Sequence, residues 1–221
     1  MDSSVSSMEC RAGPGCTFLM PHPNPGGTPT VGAVLDNRPS YLSFGVAWLL
    51  GYGAFAVSHG DDPGLPMPSA VPAVLLGGGL LTALIITGVV IARAQRGVRG
   101  REAVVGKLLA VSWLVGFGAL TLLITALSTA LNEEQVQTLL WPTGSGLIIG
   151  MIYLAGGAAL HDVLQYTLGT WLAVMSSAAL FLEGANMYWA LALTGGGAYL
   201  VAAALESRRC GPLSAAVNAA P

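Results

Sequence analysis

The chain has 221 residues, of which 53% are hydrophobic and only 9% are charged. An average soluble domain is about one quarter charged, so this composition excludes a water-soluble globule and predicts an integral membrane protein. The formal net charge of −2 provides no basic excess, and no nucleic-acid partner is expected.

The first part of the chain, residues 1–38, is rich in Ser, Gly and Pro. Such a composition cannot form a hydrophobic core, so we expect a disordered cytoplasmic tail. The three cysteines, Cys10, Cys16 and Cys210, lie near the two ends of the chain without CxxC spacing. They predict neither a zinc site nor a disulfide framework, and no metal or other cofactor is expected.

Six apolar segments follow, at roughly 41–58, 70–92, 104–130, 140–160, 165–182 and 186–205. A transmembrane helix needs about 20 apolar residues, so each segment predicts one span. The predicted fold class is therefore all-α, a polytopic membrane protein whose partner is the lipid bilayer. Its six transmembrane helices occupy residues 39–206, and 207–221 form a second cytoplasmic tail.

The positive charges are distributed unevenly along this layout. Five of the nine Lys and Arg residues lie between the second segment and the first residues of the third, from Arg93 to Lys107, and the other four lie in the tails. The positive-inside rule then predicts a multi-pass plasma-membrane protein with both termini in the cytoplasm. Four of the five, Arg93, Arg96, Arg99 and Arg101, are candidates for a cytoplasmic docking surface. The alternative is that they only set the topology, against anionic headgroups.

Parts of the apolar sequence repeat along the chain. The stretch WLLGYGAFAVS at 48–58 returns as WLVGFGALTLL at 113–123, and a fainter version surrounds Trp171. The even-numbered segments share runs of small residues, such as GGG at 77–79 and at 195–197. This alternation predicts three parallel hairpin repeats, related by an axis along the membrane normal.

Small residues also recur at helical spacing within single segments. Gly146 and Gly150 form a GxxxG motif, and Gly169, Ala173 and Ser177 form a stripe in the next segment. Such stripes let helix backbones approach closely in lipid, so they predict tight helix packing. The same glycine faces offer an interface for a homo-oligomer.

The segments carry no Asp, Lys or Arg in mid-span, and the chain has no HExxH, P-loop or GxSxG motif. The sequence therefore predicts a protein that is not an enzyme. The polar candidates are uncharged: Trp141, Thr143 and Ser145 in the WPTGSG stretch. Hydroxyls suit a small neutral or weakly acidic solute better than an ion. Each hydroxyl can instead bond a carbonyl of its own helix, and Trp141 can be an interfacial residue.

Aromatic residues recur at i, i+4 spacing, as in Trp48 and Tyr52 and again in Trp113 and Phe117. This spacing places each pair on one helical face and predicts packing between hairpins. The sharper alternative is an aromatic constriction in a pore. Trp48, Trp113 and Phe117 are therefore candidate pore residues.

The stretch DVLQYTLGTWLAVMSSAALFL, followed by WALALTGGGAYLVAAALE, resembles the fifth and sixth helices of the acetate/succinate channel-transporters. The six-span layout with both termini inside also resembles the amide/urea channels. Where the first of these families has Asn-Pro-Ala-Pro, this chain reads NRPSYLSFG, and no functional residue is carried over. The resemblance implies a six-helix fold that passes small solutes. Alternatively, the composition, which is rich in Ala, Gly, Val and Leu, is only similar to that of actinobacterial integral membrane proteins in general.

Two functions are consistent with these features. The first is a small channel or transporter for a small neutral or weakly acidic solute, working as a homo-oligomer. The alternative is a non-catalytic membrane subunit, a permease-like partner or scaffold beside a separate cytosolic ATPase or regulator. In that case the Arg-rich loop from Arg93 to Lys107 would be the docking surface.

Overall fold

The computed structural model describes residues 36–59, 64–65, 67–68, 70–94, 101–133 and 135–218. The elements in these ranges are all helical. They are α1 (Arg38–Ser58), α2 (Ala70–Ala94), α3 (Arg101–Leu131), α4 (Gln135–Leu160), α5 (Val163–Ala178), α6 (Ala185–Ala190) and α7 (Gly197–Asn218). A 3-10 turn, Ala179–Phe181, follows α5, and a π-helical turn, Leu191–Gly196, joins α6 to α7.

Six helical stretches are long and apolar enough to cross a membrane. The fifth combines α5 with the 3-10 turn, and the sixth, Ala185–Arg208, combines α6, the π-helical turn and the start of α7. We call Ala185–Arg208 the sixth span. The predicted all-α class and the number of candidate spans are confirmed. Helix α7 continues to Asn218, beyond the predicted end of the last segment at 205. The predicted tail lies outside the described residues up to residue 35.

The start of α1 is fixed by an ion pair. The Asp36 carboxylate accepts a hydrogen bond of 3.0 Å from the backbone nitrogen of Arg38 and one of 2.7 Å from its guanidinium. The side-chain hydrogen bond from Arg38 holds the pKa of Asp36 below its usual range. Pro39 lies in the first turn, where a missing N–H leaves no helix hydrogen bond unmade.

A tight turn joins α4 to α5. His161 adopts a left-handed conformation with φ 57°, and the Asp162 N–H donates to the carbonyl oxygen of Gly157 at 2.8 Å. This six-to-one bond closes α4. The Asp162 carboxylate then caps α5 by accepting from the backbone nitrogens of Leu164, at 3.0 Å, and Gln165, at 3.3 Å.

Helices α4 and α5 form the closest pair in the described structure. A Cβ atom added at Gly150 would lie 2.8 Å from the Cα atom of Ala173 and 2.8 Å from the carbonyl oxygen of Gly169. The two backbones approach this closely only because glycine lacks a side chain. The predicted packing role of these small residues is confirmed. Helix α4 packs more extensively on α5 than on α3, its partner in the predicted hairpin.

The core lies where α1, α4, α5 and the sixth span meet. Gly45 and Gly196 bring α1 and the sixth span together, since a Cβ at Gly45 would lie 3.2 Å from the Gly196 carbonyl oxygen. Helices α2 and α3 are peripheral: α2 packs mainly on α1, and α3 mainly on α4. Only 6% of the α2 span and 11% of the α3 span are buried.

Candidate functional site

Aromatic side chains cover the inner face of α1 over most of its length. Tyr41, Phe44, Trp48 and Tyr52 recur every three or four residues, which places them on one side of the helix. Each is at most 3% exposed. Rings from other helices pack on them. We call the combined set the aromatic seam: Tyr41, Phe44, Trp48 and Tyr52 of α1, Tyr153 of α4, Tyr188 of α6 and Tyr199 of α7.

Tyr199 is the centre of the aromatic seam. Its ring centroid lies 5.6 Å from that of Phe44 and 5.9 Å from that of Trp48. The ring of Tyr153 packs edge-on against Tyr199 at 6.0 Å. Tyr41 completes the group, at 6.5 Å from Tyr199. Four aromatic rings from two other helices, α1 and α4, therefore pack around the ring of Tyr199.

From this centre the aromatic seam continues to the far end of α1. The ring centroid of Trp48 lies 5.2 Å from that of Tyr52, and Tyr52 stacks on Tyr188 at 6.5 Å. Tyr188 in turn lies 5.0 Å from the ring of His59, just beyond α1. A helix of 21 residues is about 30 Å long, close to the thickness of a bilayer's hydrocarbon core. Ring contacts thus extend over about one membrane thickness.

The aromatic seam is polar without being charged. The indole nitrogen of Trp48 is buried and has no hydrogen-bond partner among the described groups, and the Tyr199 hydroxyl is buried beside that of Tyr153. Among the described residues, Glu206 is the one charged side chain that is buried.

The sixth span changes its helical geometry beside the aromatic seam. Residues Leu191–Gly196 form a π-helical turn, in which backbone hydrogen bonds join residues five apart. The indole N–H of Trp171, from α5, donates to the carbonyl oxygen of Thr194 inside this turn at 3.0 Å. The Thr194 hydroxyl donates to the carbonyl oxygen of Ala190 at 2.6 Å. The side chains of Trp171 and Thr194 therefore form hydrogen bonds with backbone carbonyl oxygens in and just before the π-helical turn.

Trp48 lies directly against the π-helical turn. Its six-membered ring occupies the space that a side chain at Gly195 would need. The same ring borders Gly146 on α4, where an added Cβ would lie 3.1 Å from the Cη2 atom of Trp48. Ser176, buried on α5, also packs against Gly146. Gly146 and Gly195 therefore make room for one indole between α1, α4 and the sixth span.

A side groove of about 400 Å³ lies between α3, α4 and α5. Leucine, isoleucine and alanine side chains form most of its wall, together with Thr143 and Ser177. The Thr143 hydroxyl donates to the Leu139 carbonyl oxygen at 2.7 Å, and the Ser177 hydroxyl donates to Ala173 at 2.8 Å. Because both hydroxyl protons are used within their own helices, the groove is apolar in character.

The structure places the six predicted pore candidates in different environments. Trp48 belongs to the aromatic seam. Trp113 and Phe117 stack on each other at 5.8 Å, and Trp113 meets the edge of Tyr153 at 6.5 Å. Thr143 lines the side groove, whereas Ser145 is half-buried and Trp141 is exposed. The candidates are not brought together into one site.

The predicted docking arginines are only partly described. Arg93 is exposed in the last turn of α2. Arg96 and Arg99 lie outside the described residues, as does the side chain of Arg101, which begins α3. No conclusion about a shared surface follows from Arg93 alone.

Several hydroxyls in the spans bond carbonyl oxygens of their own helices, which is the alternative to a role in solute binding. Thr82, Ser112 and Thr121 donate to the carbonyl oxygens of residues four positions earlier, at 2.8 to 2.9 Å. Across the described ranges, no three His, Cys, Asp or Glu side chains gather to ligate a metal.

Sequence reasoning missed the tyrosines of the aromatic seam. Tyr41, Tyr153, Tyr188 and Tyr199 were not among the candidates, although Tyr41 continues the helical spacing of Phe44, Trp48 and Tyr52. The comparisons with known proteins add no further candidates: no family model, no curated protein and no solved structure matches the chain.

Proposed function

We propose that this protein is a small integral membrane channel or transporter for a small neutral or weakly acidic solute, and that the aromatic seam is its path. The observation that carries the proposal is the π-helical turn Leu191–Gly196 beside Trp48. Short π-helical turns within helices are rare and are found frequently at functional sites. Interrupted helices also form the midplane binding sites of many transporters.

The chemistry of the aromatic seam suits such a solute. Hydroxyl and indole groups offer hydrogen bonds, and the buried carboxylate of Glu206 is two helical turns from Tyr199. A bare ion would lose its hydration in this interior without gaining a charged partner, which is strongly unfavourable. A neutral molecule, or a weak acid in its protonated form, does not meet this barrier.

In this proposal the six candidate spans cross the plasma membrane with both termini in the cytoplasm. All Lys and Arg residues then lie on the cytoplasmic side, as the positive-inside rule requires. The spans pair as three parallel hairpins, of which α1 with α2 is the most closely packed. The exposed glycines of α2, such as Gly77 and Gly78, are available for contact between protomers.

A flux assay tests the proposed function. The purified protein is reconstituted into liposomes, and the uptake of urea, acetamide and acetate is followed by stopped-flow light scattering. We expect uptake of at least one of these solutes to exceed that of empty vesicles prepared in parallel. Rates equal to those of empty vesicles for every solute would contradict a transport function.

A second candidate is a non-catalytic membrane subunit that works beside a cytosolic ATPase or regulator. The observation that favours it is the exposure of α2 and α3, since each packs mainly on one neighbour. Reversing Arg93, Arg96 and Arg99 to Glu would then remove a co-purifying cytosolic protein. Flux by the purified protein alone, together with unchanged co-purification, would favour the channel instead.

A further inference from the structure

A second groove lies between α1 and α2, on the exposed side of this helix pair. Its volume is about 610 Å³, and we call it the α1–α2 groove. Ala47 and Gly79 form its floor, since a Cβ added at Gly79 would lie 3.0 Å from the Cβ of Ala47. Apolar side chains stand on either side of this floor, among them Val46 and Val74, which are 47% and 70% exposed. The two helices therefore meet at the floor and leave an apolar space above it.

Two hydroxyl groups line the α1–α2 groove, and the proton of each is used within its own helix. Ser43 donates to the carbonyl oxygen of Ser40 at 2.9 Å, and Thr82 donates to that of Gly78 at 2.8 Å. The other lining residues are Pro, Gly and aliphatic residues. A polar group placed in this space would lose its hydration without gaining a partner. The groove therefore suits a hydrocarbon chain or an apolar side chain.

The length and position of the groove match one leaflet of a bilayer. On α1 its residues run from Pro39 to Leu50, about 17 Å along the helix axis, and on α2 from Val74 to Ile86, about 18 Å. Half of a bilayer's hydrocarbon core is about 15 Å thick. Because Pro39 lies in the first turn of α1, the groove begins at the end of the span that is cytoplasmic in the proposed orientation.

A cation lies beyond this end of the groove, on the same face of α2. Arg93 follows Ile86 by seven residues, or about two helical turns, so it lies on the same side of the helix about 10 Å further along. Its side chain is exposed. The headgroup layer of each leaflet is about 5–8 Å thick, and long Arg side chains extend over apolar surface to reach it.

Arg93 is also the cation in excess at this end of the helix pair. On α1 the charge of Arg38 is balanced by Asp36, with which it forms an ion pair of 2.7 Å. No other charged residue occurs in the described parts of α1 and α2. An apolar space one leaflet long thus leads to an unbalanced guanidinium at headgroup depth.

We propose that the α1–α2 groove binds an acyl chain of one anionic phospholipid from the cytoplasmic leaflet, and that the phosphate of this lipid binds Arg93. The planar donors of a guanidinium match the oxygens of a phosphate. Basic sites between transmembrane helices on the cytoplasmic side bind anionic headgroups in this way. The proposal uses the membrane orientation proposed above, but it does not depend on transport.

A second copy of the chain fits the groove less well than a lipid does. Transmembrane helices approach each other closely where small residues line the interface. The α1 side of the groove instead carries Leu42, Val46 and Leu50, each of which is about half exposed or more. A flexible acyl chain can follow such an uneven wall, whereas a rigid helix would rest on its highest side chains.

Filling the groove tests the site. Gly78 lines the groove, and a Cβ added there meets no atom within 4 Å, so Gly78→Leu places an isobutyl group in the empty space. The purified full chain in detergent is titrated with palmitoyl-oleoyl phosphatidylglycerol, and bound lipid is measured by native mass spectrometry. We expect Gly78→Leu to weaken binding of the first lipid about tenfold, the effect of displacing about two methylene groups of its chain.

The matched control is Gly77→Leu, which makes the same change one residue away. Gly77 does not line the groove, and its added Cβ also meets no atom within 4 Å. Its lipid affinity should equal that of the wild type. Unchanged affinity in folded Gly78→Leu, or equal weakening in both variants, would overturn the proposal. The mass spectra also report the oligomeric state, so loss of an oligomer in Gly78→Leu without loss of lipid would assign the groove to a second copy instead.

Replacing Arg93 by Gln tests the headgroup contact. The wild type should bind phosphatidylglycerol about fivefold more tightly than phosphatidylcholine with the same acyl chains, as expected for one Arg at the membrane surface. Arg93→Gln should lose this preference and keep its affinity for phosphatidylcholine. A wild type without the preference, or a preference that persists in Arg93→Gln, would overturn the proposed phosphate contact.

The lipid site and the transport function can fail separately. Binding that Gly78→Leu and Arg93→Gln weaken as expected, without flux in liposomes, would contradict transport and leave the lipid site intact. Flux by a wild type that does not prefer phosphatidylglycerol would do the reverse. Should Gly78→Leu fail to fold, Val46→Phe takes its place, because it fills the groove from α1 at a residue that is 47% exposed.

Discussion

The indole N–H of Trp171 donates a hydrogen bond of 3.0 Å to the carbonyl oxygen of Thr194. The donor lies on α5, and the acceptor lies inside the π-helical turn of the sixth span. The same carbonyl oxygen also accepts from the backbone N–H of Gly197, at the end of the turn. The side chain of one helix thus helps to stabilise the irregular backbone of another.

Replacing Trp171 by Phe tests this relationship. We expect Trp171→Phe to lower the free energy of unfolding by about 1 kcal/mol, the typical value of one hydrogen bond. Unfolding by SDS in mixed micelles measures the change. The control is Trp189→Phe, which makes the same substitution at a partly exposed Trp on α6. Equal losses in the two variants would show that the Thr194 bond contributes nothing of its own.

The approach of α4 to α5 predicts a large effect at Gly150. A methyl group there would meet the backbone of Ala173 and Gly169, so Gly150→Ala must push the helices apart. We expect a loss of about 1–3 kcal/mol in the same unfolding assay, as for other overpacked sites.

The matched control for Gly150 is Gly77→Ala on α2. Nothing lies within 4 Å of a Cβ added at Gly77. Alanine has the higher helix propensity by about 1 kcal/mol, so Gly77→Ala should be neutral or stabilising. If Gly150→Ala were also neutral or stabilising, that result would contradict the close approach of the α4 and α5 backbones.

The contact between Gly195 and Trp48 predicts an effect on transport. Gly195→Ala places a methyl group in the space of the Trp48 ring, so the indole must move within the aromatic seam. We expect solute flux to fall at least about fivefold, corresponding to the lower end of overpacking costs. Gly197→Ala is the control on the same span, because its added Cβ meets no atom within 4 Å. Undiminished flux in Gly195→Ala would show that Trp48 does not line the solute path.

Much of the fold follows from apolar segment length alone. The predicted segment at 70–92 corresponds to α2 at Ala70–Ala94, and the segment at 104–130 to α3 at Arg101–Leu131. Spans are predictable because about 20 apolar residues are required in each, whatever the helices contact. The small residues at helical spacing, Gly150 and Gly169 among them, predicted tight packing of α4 and of α5, but not that these two helices pack on each other.

The candidate site was much less predictable. The π-helical turn at Leu191–Gly196 contacts Trp171 and Trp48, which are distant in sequence, and no local sequence pattern predicted it. Tyr153 and Tyr199 join the aromatic seam through contacts between helices, which spacing along one helix does not determine. Thr143 looked polar in sequence, but its hydroxyl is satisfied by Leu139 in its own helix.

The proposed orientation makes a prediction at the ends of the spans. With Cys10, Cys16 and Cys210 replaced by Ser, single cysteines are introduced at Asn132, His161 or Glu183, and intact cells are treated with a membrane-impermeant maleimide. Asn132→Cys and Glu183→Cys should be labelled, because they lie in loops that an N-in protein exposes outside.

His161→Cys should be labelled only after permeabilisation, because an inside N-terminus places the turn between α4 and α5 in the cytoplasm. That position serves as the internal control, since His161 is as exposed as the other two. Labelling of His161→Cys in intact cells, with protection of Asn132→Cys, would place the Lys and Arg residues outside. An inverted pattern of this kind would contradict the positive-inside argument on which the orientation depends.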